Sequence, residues 1–144
     1  MNYEGLIELN NKFIKLSEAH KSLISYITQF FDEAVFCNNI ITTEDNVSFY
    51  SFDKKYELNW NVFCREDSKY GELELYYSYT LLLNFSSGTK NGLFTILNFY
   101  IDSDGFIFSD NDFDTKQAFC NSEAATKLFR KIIPDAIYNS LLNG

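Results

Sequence analysis

Apolar residues recur every three or four positions through the first third of the chain, which is the spacing of one face of an α-helix. The stripe consists of Leu6, Leu9, Phe13, Leu16, His20, Leu23, Ile27, Phe30 and Ala34. One helix of this length measures roughly 50 Å, whereas a domain of this size has a radius of gyration of about 15 Å. A break at Ser17, a good N-cap residue, suits the compact domain, and the unbroken spacing favours one helix. The pattern predicts an N-terminal helical segment and leaves its continuity through Ser17 open.

After Ile40 the period of the pattern falls to two, as in strands with one buried and one solvated face. The predicted strands lie within residues 47–50, 57–64, 72–81, 93–101 and 106–108. Short polar connectors between them favour an antiparallel meander of about five strands. Asp104 and Gly105 are expected to form a hairpin turn, because glycine readily adopts the positive φ of such turns. The segment 109–115 is predicted to be a polar loop.

The helical period returns near the C-terminus, where Asn121 or Ser122 is a candidate N-cap and Glu123 suits a first turn. Pro134 is the only proline and is expected to end this helix and to begin a second short one over 135–142. The chain, 1–144, is therefore predicted to be a single α+β domain. Its N-terminal helical segment and its C-terminal helices are expected to pack on the sheet.

Composition narrows the class of protein. The chain has 144 residues, of which 46 % are hydrophobic and 18 % aromatic, and its formal net charge is −8. Aromatic content this high argues against disorder, and the acidity argues against nucleic acid or an anionic membrane as the partner. The sequence lacks a signal-peptide pattern and a long apolar run, so we expect a cytoplasmic protein. Its three cysteines, Cys37, Cys64 and Cys120, make no disulfide framework and are expected to be small buried apolar residues.

No catalytic, metal or cofactor motif is present. His20 is the only histidine and lies in the apolar stripe, so a position at the edge of the core is favoured over a role as a general base. The cysteines and this histidine lack the close spacing of a zinc site, and no glycine-rich phosphate-binding loop occurs. We therefore expect no enzyme activity, no cofactor and no metal.

The one cluster that resembles a site is acidic. Asp110, Asp112 and Asp114 begin like a calcium loop, but Thr115 and Asn121 stand where that loop needs glycine and glutamate. A solvated turn rich in aspartate is the plain alternative, because aspartate is common in turns.

A binding surface is the other interpretation of these acids. Residues 91–126 contain six acids and one base, and three further polar or aromatic residues lie on the predicted solvated face of the third strand. Carboxylates on such a surface complement a basic partner and increase its association rate, and tyrosine is enriched at interfaces. The predicted partner-binding residues are Asp102, Asp104, Asp110, Asp112, Asp114, Glu72, Glu74 and Tyr76.

The segment 97–106, a strand followed by Asp104 and Gly105 and another strand, precedes the acidic stretch 110–114. In this order, and in its size and acidity, the chain resembles the small acidic immunity proteins of bacterial polymorphic-toxin and contact-dependent-inhibition systems. The resemblance implies a cytoplasmic protein that binds a cognate toxin, often a basic nuclease, and blocks its active or substrate-binding site.

Other functions remain open at this stage. A curved sheet under a helix can form an apolar pocket, which Trp60, Tyr77 and Phe99 would line in a small ligand-binding domain or enzyme. A phage-encoded inhibitor or an adaptor has the same sequence features, and the N-terminal stripe suits self-association. The oligomeric state stays undetermined.

Overall fold

The computed structural model describes residues 2–66, 71–87, 90–109 and 115–143. It is an α+β fold, as predicted, with helix α1 (Tyr3–Glu33) before the sheet and helix α2 (Glu123–Asn143) after it. The strands are β1 (Asn38–Thr42), β2 (Asn46–Ser51), β3 (Lys54–Glu66), β4 (Leu73–Ser87), β5 (Lys90–Asp102), β6 (Phe106–Ser109) and β7 (Lys116–Phe119). Neither helix, within the described residues, is long and apolar enough to cross a membrane.

The strands follow one another in the sheet in chain order, and every neighbouring pair is antiparallel. The antiparallel sheet is confirmed, and the described residues form seven strands where about five were expected. The two missed strands, β1 and β7, are edge strands of five and four residues in which at most one side chain is buried. Strands this exposed carry no alternating pattern. Ser109, expected in a loop, ends β6.

Helix α1 is continuous over 31 residues, so the chain does not break at Ser17. Asn2 caps it, since the Asn2 side-chain oxygen accepts a hydrogen bond from the Gly5 N–H at 2.8 Å. Burial is complete only in the middle and the second half, at Leu16, Leu23, Ile27 and Phe31. A stripe with a 3.5-residue period rotates by about 20° per heptad around a straight helix. At the N-terminal end of α1, the stripe predicted from the sequence therefore no longer faces the sheet.

Helix α2 is also continuous, and the expectation that Pro134 begins a second helix is wrong. Its N-cap is Ser122, whose Oγ accepts a hydrogen bond from the Ala125 N–H at 3.2 Å. Proline removes one backbone hydrogen bond inside a helix. Ile133 on one side of the proline and Ile137 on the other are both buried in the core. This packing on both sides keeps the helix in one piece through the proline.

Both helices pack on the same face of the sheet. On this covered face the rings of Tyr79 and Phe99, neighbours on β4 and β5, stack with centroids 4.9 Å apart. Phe129 of α2 lies 5.4 Å from Phe99, and Phe31 of α1 lies 4.4 Å from Phe49 of β2. The opposite face, which we call the open face, carries the alternate residues of each strand.

Replacing Phe99 by alanine tests this core. Phe99 is 1 % exposed, so Phe99→Ala should lower the free energy of unfolding by about 3 to 5 kcal/mol, through lost burial and an unfilled cavity. Urea denaturation followed by circular dichroism measures the change. Phe94→Ala, at a phenylalanine that is 54 % exposed on the same strand, should cost less than about 1 kcal/mol. Equal losses for the two variants would contradict the packing described.

Candidate functional site

The structure brings part of the predicted site together. Tyr76 on β4 and Asp102 on β5 are direct cross-strand partners, and Glu74 precedes Tyr76 by two residues on the same face. Glu72 lies just before β4, and Asp104 lies in the turn between β5 and β6. These five residues share the end of the sheet where β4 begins and β5 ends. The other three predicted residues, Asp110, Asp112 and Asp114, lie outside the described residues.

Asp102 holds the β5–β6 turn together. One of its carboxylate oxygens accepts hydrogen bonds from the backbone N–H of Asp104 at 3.1 Å and of Phe106 at 2.9 Å. Gly105 has a φ of +87° and donates its N–H to the Asp102 carbonyl, which confirms the predicted hairpin turn. Burial raises the pKa of Asp102, and the two backbone hydrogen bonds partly oppose this rise. The side chain therefore has a structural role in the turn, which is the plain alternative that the sequence offered to a binding surface.

Bases from distant parts of the chain lie against the acids. Lys12 of α1 forms an ion pair with Glu74 at 3.0 Å and donates a second hydrogen bond to the Leu73 carbonyl at 2.9 Å. Lys15 lies 3.9 Å from Asp104, and Arg65 of β3 is the cross-strand neighbour of Glu74. The excess of acidic residues in 91–126 was predicted from that segment alone and did not include bases that other segments bring close to it. In three dimensions α1 and β3 supply bases that partly neutralise this end of the sheet.

Tyr76 is not solvent-exposed, contrary to the expectation. Only 8 % of it is accessible, because its ring stacks on Phe63 with centroids 5.4 Å apart and meets Phe108 edge-on at 6.2 Å. Phe63 also contacts Tyr100 at 5.6 Å. We call these four residues the open-face aromatic cluster. Burial raises the pKa of the Tyr76 hydroxyl, while the neighbouring Arg65 lowers it.

This cluster, as a unit, was not predicted from the sequence. Its members come from β3, β4, β5 and β6 and meet only through strand register. The available signal was that Phe63, Tyr76 and Tyr100 each have polar residues two positions before and after them in the chain. This spacing places an aromatic ring on the nominally solvated face.

Small polar side chains cover the middle of the open face. Asn61 pairs across the strands with Ser78, and Asn59 pairs with Thr80, which pairs in turn with Asn98. The Thr80 hydroxyl donates a hydrogen bond to the Asn98 side-chain oxygen at 2.9 Å. Asn, Ser and Thr offer adaptable hydrogen bonding and tyrosine offers rigid contact area, and this combination is typical of protein-binding surfaces.

His20 lies between α1 and the covered face of the sheet. Its Nδ1 is 2.7 Å from the Tyr79 hydroxyl, and its ring stacks on Tyr77 at 4.0 Å and meets Trp60 edge-on at 5.1 Å. Burial lowers the pKa of His20 to about 4 and raises the pKa of Tyr79 well above 10. Neither group changes its charge near neutral pH, so the pair joins the helix to the sheet as an uncharged contact.

The pocket expected from Trp60, Tyr77 and Phe99 is not formed by these side chains. Phe99 fills the space between Tyr79 and Phe129, and Tyr77 is covered by His20. A groove of 900 Å³ lies elsewhere, between the end of α2 and the turn before β3, with Lys54, Lys55 and aromatic residues along it.

The cysteines differ in their surroundings. Cys37 and Cys120 are buried, as expected, but Cys64 is exposed, and all three are free. Burial raises the pKa of the Cys37 thiol to about 12. In the described part of the chain, no group of three or more His, Cys, Asp or Glu side chains is placed to hold a metal ion.

Comparisons with known proteins add no relative: no family model, no curated protein and no solved structure matches the chain.

Substitutions of Asp102 separate its charge from its hydrogen bonds. Asp102→Asn keeps an oxygen acceptor for both N–H groups, whereas Asp102→Ala loses both bonds and should cost about 1 to 2 kcal/mol. The pKa of Asp102 is raised in the folded state, so the ionised carboxylate destabilises the fold at pH values above that pKa. Below the unfolded value of 3.8 the carboxyl group is protonated in both states and has no such effect. Asp102→Asn should therefore be as stable as wild type or more stable at pH 7, with the difference vanishing at pH 3 in urea denaturation. A large loss at pH 7 would contradict this account.

The single histidine gives a second pH test. A lowered pKa in the folded state means that stability is complete above pH 6.5 and is lost as the pH falls toward 4, because the unfolded chain binds the proton first. With an allowance for partial exposure, the loss should be about 2 kcal/mol. The difference in free energy of unfolding between wild type and His20→Gln across this pH range separates the contribution of His20 from that of the carboxylates. NMR titration of the one imidazole should give a midpoint near 4, and a midpoint near 6.5 would contradict the burial.

Proposed function

We propose that the chain is an acidic protein-binding inhibitor of the immunity type, which neutralises a cognate toxin by covering its active or substrate-binding site. The observation that supports this proposal most is the one-sided sheet. Both helices pack on one face, and the other face carries a polar surface of Asn, Ser and Thr beside the aromatic cluster. Phe63 and Tyr100 of this cluster are half-buried, while Tyr76 and Phe108 are buried. A sheet of seven strands offers this face as a broad surface on a rigid scaffold.

The size of the open face suits a protein partner. Strands β3 and β5 have 13 residues and β4 has 15. At about 3.3 Å per residue and about 4.8 Å between strands, these three alone span of the order of 600 Å². An interface of standard size buries about 800 Å² on each partner. The central strands with their neighbours on either side therefore provide enough area for a specific complex.

Charge defines the kind of partner. The net charge of −8 favours a basic protein, and a nuclease domain is basic where it holds nucleic-acid phosphates. Glu72 and Asp104 are exposed toward such a partner, and the Lys15 contact with Asp104 is itself on the surface. Glu74 and Asp102 are engaged in the contacts described above. Asp110, Asp112 and Asp114 remain predicted contributors. The inhibitor would act by occlusion, with its carboxylates meeting the lysines and arginines that otherwise bind substrate.

The test uses the product of the reading frame next to that of this chain, which we expect to contain a toxin domain. We expect the purified chain to bind that domain in titration calorimetry and to inhibit its activity. Ser78→Arg and Asn61→Arg, at cross-strand neighbours, place a long cation on the open face. Each should weaken binding at least about tenfold, which is 1.4 kcal/mol. Ser25→Arg, at an exposed position on α1, is the matched control and should bind like wild type.

Salt dependence tests the electrostatic part. Glu72→Gln and Asp104→Asn should slow association with the basic domain and flatten the dependence of the rate on ionic strength. Circular dichroism verifies that each variant is folded. Failure of the chain to bind the toxin domain would refute the proposed function. Equal binding by Ser78→Arg and Ser25→Arg would refute the assignment to the open face.

A further inference from the structure

The N-terminal third of α1 exposes large apolar side chains that the fold does not cover. The exposed fractions are 76 % for Tyr3, 54 % for Leu6, 44 % for Ile7, 39 % for Phe13 and 51 % for Ile14. Isolated apolar residues are common on surfaces, but a contiguous apolar patch marks an interaction site. These five occupy one stretch of helix about 18 Å long.

Three of the five residues, Tyr3, Ile7 and Ile14, lie in a second stripe beside the buried one. Tyr3, Ile7, Asn10 and Ile14 follow at intervals of four, three and four, which is a heptad seam. Leu6 and Phe13, which belong to the stripe predicted from the sequence, flank this seam. We call the segment from Tyr3 to Ile14 the α1 seam. The buried face of α1, marked by Leu16 and Leu23, points about 120° away from Asn10 around the helix.

The α1 seam is symmetric about Asn10. The residues three and four positions before Asn10 are Ile7 and Leu6, and those three and four positions after it are Phe13 and Ile14. A two-fold axis through Asn10 that reverses the helix direction therefore places apolar residues against apolar residues and Asn10 against Asn10. A single asparagine in a coiled-coil seam specifies register, because two such side chains satisfy each other.

Helix polarity favours the antiparallel arrangement. A parallel pair sets the two positive N-terminal ends of α1 side by side, whereas an antiparallel pair separates these ends along the shared interface.

We propose that the α1 seam is a homodimer interface, in which two copies of this chain pair their first helices antiparallel about Asn10. The exposed apolar side chains supply roughly 500 Å² per copy, or roughly 1,000 Å² in total, which is the lower limit for a specific interface. The dimer is therefore concentration-dependent. Because α1 lies on the covered face, pairing leaves the open face of each copy accessible. The assembly with a protein partner therefore contains two copies of this chain and two copies of the partner.

Sedimentation velocity across a concentration series tests the dimer. The wild-type chain should shift from monomer to dimer as its concentration rises from the low micromolar to the near-millimolar range. Ile14→Lys should move the midpoint at least about tenfold higher, since it places a charge in the apolar seam. The matched control is Ile41→Lys on β1, where the isoleucine is 59 % exposed, and it should leave the midpoint unchanged.

Disulfide cross-linking tests the axis and the direction. In a Cys64→Ser background, which removes the exposed native thiol, Asn10→Cys should form a covalent dimer under mild oxidation. Asn11→Cys, one residue away and exposed, should not. A mixture of Leu6→Cys and Ile14→Cys chains should give the mixed dimer in preference to either homodimer.

Three results would overturn the dimer: a monomer at every concentration, equal effects of Ile14→Lys and Ile41→Lys, or self-cross-linking of Leu6→Cys. A monomer that still binds the toxin domain would remove the dimer and leave the proposed function intact. A dimer that binds no toxin domain would support the dimer and refute the proposed function, so the two hypotheses can fail separately.

Discussion

Two aromatic stacks on the covered face of the sheet hold this fold together. Phe31 of α1 packs on Phe49 of β2, whose ring stacks in turn on Tyr56 of β3 at 5.3 Å. Tyr79 and Phe99 stack between β4 and β5 and receive Phe129 of α2. Each stack joins a helix to two neighbouring strands. Because large rings bury much apolar area on this one face, both helices pack on it. The other face therefore has no helical layer.

The open face follows from that commitment. Its middle carries short polar side chains that satisfy one another, such as Thr80 and Asn98. One end carries the open-face aromatic cluster, which buries Tyr76 even though no helix covers it. The surface offered to a partner is therefore a rigid sheet with adaptable hydrogen-bonding groups, and its rigidity comes from the packing on the opposite side.

Charge behaves differently in the sequence and in the fold. Lys12 and Glu74 are far apart in the chain and form an ion pair at 3.0 Å. Their side chains are about one-third accessible, so this pair contributes little to stability. It removes one negative charge from the surface that the sequence presented as acidic. Asp102 turned out to hold a hairpin turn, which is the plain role that aspartate commonly has in turns.

The sequence by itself determined the features that depend on near neighbours along the chain. The sequence predicted the stripe of α1, the turn at Gly105, an N-cap at Asn121 or Ser122 and the alternation in the central strands. Each of these rests on contacts within a few residues. Only the tertiary structure decided that α2 continues through Pro134, that Tyr76 is buried by rings from other strands, and that Lys12 lies against Glu74. These outcomes depend on packing and strand register between segments far apart in the chain, and neither is encoded in local periodicity.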